Sequence, residues 1–82
     1  MKELPDITEA RDVFFSMSEL IKEGKLSDKE QNVINLRFGL EDNKLKTLQE
    51  IGNILGYTRE RVRQIQNIAL RKIRNKYHAI RD

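Results

Sequence analysis

Apolar residues recur at intervals of three and four along most of this chain, and nowhere do they alternate with polar ones for the length of a strand. That period belongs to helices, so the chain reads as all-α: a compact four-helix domain. A first helix is expected over residues 8–23, starting at Thr8. Ala10, Val13, Phe14, Met17, Leu20 and Ile21 form its apolar stripe, with Glu9, Asp12, Ser16, Glu19 and Glu23 opposite. Asp6 with Glu9 three residues later has the form of a capping box, Pro5 sits just outside it, and Gly24 is the stop. A second helix opens at Ser27, boxed with Glu30. It carries Val33, Ile34 and Leu36 towards Phe38 and ends at Gly39. Residues 40–46, polar apart from two leucines, read as a loop.

The second half of the chain is more specific. Thr47 with Glu50 makes another box, and Leu48, Ile51, Ile54 and Leu55 give the third helix its buried side before Gly56 closes it. Only Tyr57 separates that glycine from Thr58, a fresh N-cap. Two helices joined by so short a glycine-containing turn form a helix-turn-helix. Gly52 lies inside the third helix, where glycine costs about 1 kcal/mol against alanine, and close packing against the fourth helix is the expected reason. The fourth helix runs from Arg59 to at least Arg74. At about 100° per residue, Val62, Ile65, Ala69, Ile73 and Ile80 share its core side. Glu60, Arg63, Gln64, Asn67 and Arg71 fall opposite. Arginine, glutamine and glutamate side chains are those able to pair with guanine, adenine and cytosine edges respectively. Helix N-termini favour phosphate, and Arg59 and Arg61 flank the row.

Charge sharpens that picture. The chain has 82 residues and a formal charge of +3, unevenly spread. Residues 1–56 hold eight Lys/Arg against eleven Asp/Glu, whereas residues 57–82 hold eight against two. A basic end of this kind points to an anionic partner, nucleic acid or a membrane surface. The chain has no cysteine, which excludes a disulfide framework and a Cys-based zinc site. It has no run of roughly 20 apolar residues, so no membrane span is expected and a cytoplasmic location is the default; a membrane is not among the expected partners. An enzyme is not expected: His78 is the sole histidine, without a nearby ligand set, and no glycine-rich phosphate loop occurs. No cofactor or metal is therefore expected.

The stretch 26–74, LSDKEQNVINLRFGLEDNKLKTLQEIGNILGYTRERVRQIQNIALRKIR, resembles region four of the sigma-70 family, the C-terminal domain of bacterial sigma factors. NLRFGL, TLQEIG, TRERVRQI and ALRKIR occur in the family's order and with its gaps, over roughly 50 of the 82 residues. Pattern and resemblance together give an expected domain organisation of an N-terminal amphipathic helix (1–25), a region-four-like helix-turn-helix domain (26–76) and a basic extension of the last helix (77–82). The resemblance implies that the fourth helix enters the major groove of a promoter -35 element. Arg59, Glu60, Arg63 and Gln64 match base-reading positions, with Arg63 aimed at a guanine. Thr47, Leu48 and Thr58 match phosphate-holding positions near helix N-termini, and Lys29, Arg37 and Arg61 match backbone-contact positions. Phe38 falls where the family docks the flap of the RNA polymerase β subunit, although the same residue also suits an ordinary core.

The chain departs from the family pattern in three places. Gln66-Asn67-Ile68 replaces a stretch that is commonly acidic, then small, then basic, which alters a surface used by activators. Ile68 is expected to be exposed, or packed on the first helix. The tail keeps Tyr77 and Ile80 on the core side, which reads as a lengthened last helix. The regions that read the -10 element, melt DNA and grip the polymerase clamp are missing. The expectation is therefore either an excised domain or a short sigma-like protein, from a phage or mobile element for example, working beside other subunits. Double-stranded promoter DNA and the polymerase core are the expected partners, with an anti-sigma factor, an activator or a second sigma-like subunit as further ones. Two other readings compete: a response-regulator output domain, which lacks the FGLEDNK-like loop, and a module that binds polymerase or an anti-sigma protein without reading DNA.

Overall fold

The computed structural model describes residues 10–81, with side chains from Arg11 to Ile80. It contains four helices: α1 (Ala10–Lys22), α2 (Asp28–Phe38), α3 (Leu48–Leu55) and α4 (Arg59–Arg81). The expected start at Thr8, the Asp6–Glu9 box, Pro5 and the side chain of Ala10 lie outside the described residues.

Each helix end is written locally. Ser27 caps α2: its hydroxyl accepts from the Glu30 amide at 3.2 Å, and the Glu30 carboxylate accepts from the Ser27 amide at 2.9 Å. Thr47 and Glu50 repeat the arrangement at α3, with distances of 3.1 and 2.8 Å. Such reciprocal boxes satisfy two otherwise orphaned donors at a helix start. The end of α1 closes as a Schellman turn, with the Lys25 amide on the Leu20 carbonyl and the Gly24 amide on that of Ile21.

α4 is the spine of the fold, about 34 Å long at 1.5 Å per residue over its 23 residues. Its C-terminal half packs Ala69, Leu70 and Ile73 against Val13, Met17 and Leu20 of α1 and Ile34 and Phe38 of α2, with Leu26 and Tyr77 adjoining. Its N-terminal half packs Val62 and Ile65 against Val33 of α2 and Ile51 of α3, with Leu36, Leu48, Leu55 and Tyr57 around them. The two clusters share α2 and α4, so the helix-turn-helix and the N-terminal helix are braced by one pair of elements. Ion pairs add a clamp. The Lys72 ammonium donates to both Glu30 carboxylate oxygens (3.0 and 3.2 Å) and to the Lys25 carbonyl (3.0 Å). Lys76 pairs with Glu23 one turn on.

The apolar stripes prove wider than the contacts that bury them. Phe14 and Ile21, expected in the α1 stripe, are exposed, whereas Ser16, expected on the polar side, is fully buried. α1 presses on the rest through the edge centred on Val13, Met17 and Leu20, and that edge is rotated towards Ser16. Ile54 of α3 is also exposed, because a helix of only eight residues meets its neighbours along the line of Leu48, Ile51 and Leu55. Ile80 is half-exposed, one turn past Tyr77, the last α4 residue to touch a core cluster. Leu26 and Leu70, absent from the expected stripes, are buried. The lengthened last helix is present as expected.

Candidate nucleic-acid interface

The turn between α3 and α4 is held from both sides. The Gly52 carbonyl accepts from the Gly56 amide (2.8 Å) and the Tyr57 amide (2.9 Å), and Gly56 takes the left-handed conformation that ends α3. Thr58 then caps α4, its hydroxyl oxygen accepting from the Arg61 amide at 3.0 Å. A Cβ on Gly52 would lie 2.6 Å from the Tyr57 carbonyl oxygen. The close approach is therefore to the backbone of the turn, at the foot of α4, and not to the body of that helix.

With Val62, Ile65, Ala69 and Ile73 turned into the core, the opposite side of α4 presents Glu60, Arg63, Gln64, Asn67 and Arg71, all exposed. Arg59 and Arg61 stand exposed beside them. Arg59, Glu60 and Arg63 line, together with Leu48, a shallow concavity of about 380 Å³ between the start of α3 and the start of α4. Three of the four base-reading candidates and one phosphate candidate thus meet at one place, with Gln64 one residue beyond Arg63.

Within that row Glu60 and Arg63 form a two-pronged pair. Arg63 Nε donates to one carboxylate oxygen at 3.0 Å and Nη2 to the other at 2.5 Å. The hydrogen bonds and charge of Arg63, with Gln64 and Arg59 assisting, hold the Glu60 carboxyl below its ordinary value of 4.5 against the opposing effect of desolvation. The same bonds raise Arg63. Both side chains are more than half exposed, 60% and 51%, so this pair is solvent-screened and open to exchange with an incoming partner.

The remaining candidates divide into two groups. Thr47 and Thr58 spend their oxygen lone pairs on caps and keep the hydroxyl hydrogen for a further acceptor. The Leu48 amide lies in the first turn of α3, where amides have no partner within the helix. Lys29 is exposed on the first turn of α2, its ammonium 5.9 Å from the ring centre of Tyr57. That cation–π contact links α2 to the turn. Arg37 and Phe38 are different. Arg37 is half-buried and hydrogen-bonded to Gln66 and to the Lys46 carbonyl. Phe38 is only 6% exposed, within the α1–α2–α4 cluster. Gln66 and Tyr57 shape the site without having been anticipated. Nothing in the spacing marks either, since Gln66 sits 29 residues from the arginine it meets.

Among the described residues no group of three metal-ligating side chains occurs and no helix is long and apolar enough to cross a membrane. The fold and its exposed basic row define a helix-turn-helix domain of the nucleic-acid-binding kind. Residues 24–75 match the family model for sigma-70 region 4, and the chain belongs to that family of transcription-initiation domains. It is 56% identical over 50 residues to the RNA polymerase sigma factor SigA of Listeria monocytogenes, and equally so to SigA of Listeria innocua. The match takes in 61% of this chain but only 13% of either relative.

Proposed function

We propose that this chain is a non-catalytic, sequence-specific DNA-binding module of transcription initiation that reads a promoter -35-like element. The observation that carries the reading is the exposed Glu60–Arg63–Gln64 row at the start of a helix whose other side is locked into the core. Arg59, Glu60, Arg63 and Gln64 read base edges in the major groove. Arg63 bonds a guanine once its fork leaves Glu60, and Glu60 is then available to a cytosine amino group. Lys29, Thr47, Leu48, Thr58 and Arg61 hold the phosphates on either side, through charge, hydroxyl hydrogens and first-turn amides. Binding takes place in the cytoplasm, on the nucleoid.

RNA polymerase is the second partner under this reading, through the β flap. Burial of Phe38 means that a flap contact in this region rests on the solvent-facing residues around it. A pull-down with the flap tests that contact independently of DNA.

Fluorescence anisotropy with a TTGACA-containing duplex and a scrambled duplex, over a salt series, tests the DNA reading. Arg63→Ala is expected to cost about 1–3 kcal/mol on the TTGACA duplex and to relax specificity at one base pair. Arg61→Ala should weaken both duplexes alike and flatten the salt dependence by about one unit of slope. Equal affinity of the unmodified chain for the two duplexes would leave the alternative, a module that contacts polymerase or a regulatory protein and does not read DNA.

A further inference from the structure

We infer that Arg37 and Gln66 form a positioning strut that fixes the start of α3 relative to the recognition helix α4. The inference rests on the DNA-reading function above. Arg37 lies in the last turn of α2. Its Nε donates to Gln66 Oε1 on α4 at 3.0 Å, and its Nη1 donates to the Lys46 carbonyl at 2.8 Å. Lys46 immediately precedes the cap Thr47, so the second bond grips the backbone at the entry to α3. One planar guanidinium therefore joins three elements that are separate in sequence, and its fixed fork sets the distance between two of them.

Those two elements carry different halves of the interface. α3 begins with Thr47 and Leu48, the phosphate-holding candidates, and α4 begins with Arg59, Glu60, Arg63 and Gln64, the base readers. A base-reading row is useful only if the phosphate anchors hold it in register, and a shift of about 1 Å in a supporting shell is enough to spoil a site. Gln66 itself is half-buried and lies roughly 120° round the helix from the middle of the reading row, so it has no direct part in base contact. Both acceptors are uncharged. The arginine's positive charge sits at the C-terminal end of α2, where the helix dipole favours it.

Gln66→Ala, Gln66→Glu and Arg37→Lys in the full 82-residue chain test the strut. Gln66→Ala removes an acceptor and no charge. Arg37→Lys keeps the charge but replaces a two-armed fork by a single ammonium. Each is expected to reduce the preference for the TTGACA duplex over the scrambled one by roughly fivefold, with the salt slope unchanged. Gln66→Glu, which keeps an acceptor oxygen, should restore the preference. Without any DNA, Gln66→Ala and Arg37→Lys should shift the same amide resonances, those of residues 46–50, in a ¹H–¹⁵N spectrum. Unshifted amides in Gln66→Ala would overturn the strut whatever the DNA result. So would a Gln66→Ala variant with undiminished preference for the TTGACA duplex. If the unmodified chain shows no preference, the DNA reading fails, and the amide shifts still decide the strut.

Discussion

Replacing Gly52 by alanine sets two opposing contributions against each other. Gly52 is helical, so on intrinsic propensity alone the substitution should stabilise the protein by about 1 kcal/mol. Its position argues the other way. The added Cβ would stand 2.6 Å from the Tyr57 carbonyl oxygen, where ordinary contact begins at 3.4 Å, leaving a shortfall of about 0.8 Å against backbone that cannot rotate aside. The turn is also tied to this residue by the Gly56 and Tyr57 amides, at 2.8 and 2.9 Å, so opening it stretches both bonds. Overpacking of this kind costs about 1–3 kcal/mol, and weakening a hydrogen bond about 0.5–1.5 kcal/mol more. The net expectation is a loss of about 0.5–3.5 kcal/mol, equivalent to a fall in Tm of very roughly 2–28 °C for a domain this small. Urea denaturation followed by circular dichroism measures it directly. A midpoint equal to or above that of the unmodified chain would refute the claim that the turn's close approach excludes a side chain at this position. Because the displaced atoms lead straight into Arg59 and Glu60, the same variant should also lose discrimination between duplexes.

Two other substitutions bear on packing and electrostatics. Lys72→Met should cost about 1 kcal/mol near neutral pH, a figure already reduced for the half-exposed lysine, and thermal denaturation across a pH series would show it. Burial by itself would raise the Glu30 carboxyl, but hydrogen bonds from the Ser27 amide and Lys72 outweigh it and hold the group below its ordinary 4.5. The stabilisation is therefore present above about pH 4.5 and is lost as pH falls through the lower folded value, so the gap between Lys72→Met and the unmodified chain should close in acid. A gap independent of pH would mean that Lys72 acts through its bond to the Lys25 carbonyl and not through Glu30. Phe14→Ala should change stability by no more than about 0.5 kcal/mol despite removing a phenyl ring, whereas Ile73→Ala should cost about 2–5 kcal/mol. Comparable denaturation midpoints for these two variants would contradict the placement of α1.

The helix ends of this protein are legible residue by residue because capping acts over three or four positions. Ser27 with Glu30, Thr47 with Glu50, Thr58, and the glycines at 24, 39 and 56 announce where helices begin and end. The exposed row from Glu60 to Arg71 was equally readable, since a long helix whose apolar side is strongly marked leaves its other side determined by rotation alone. The ordered motifs from NLRFGL to ALRKIR carried the family, and the match over residues 24–75 agrees with them.

What periodicity could not supply was the angle at which neighbours approach. Phe14 and Ile21 share a stripe with Val13 and Met17, but only the partner helices choose which edge of that stripe is covered. They chose the side of Ser16. Nor could local pattern reveal that Arg37 would meet Gln66 and the Lys46 carbonyl, or that Lys72 would reach Glu30 across 42 residues of chain. Spacing along a helix is encoded by neighbours in sequence, so the sequence by itself determined the elements, their caps and the chemistry they display. Distances between elements depend on how whole surfaces interlock, and only the tertiary structure decided which of those polar groups became struts and which were left facing outward to bind.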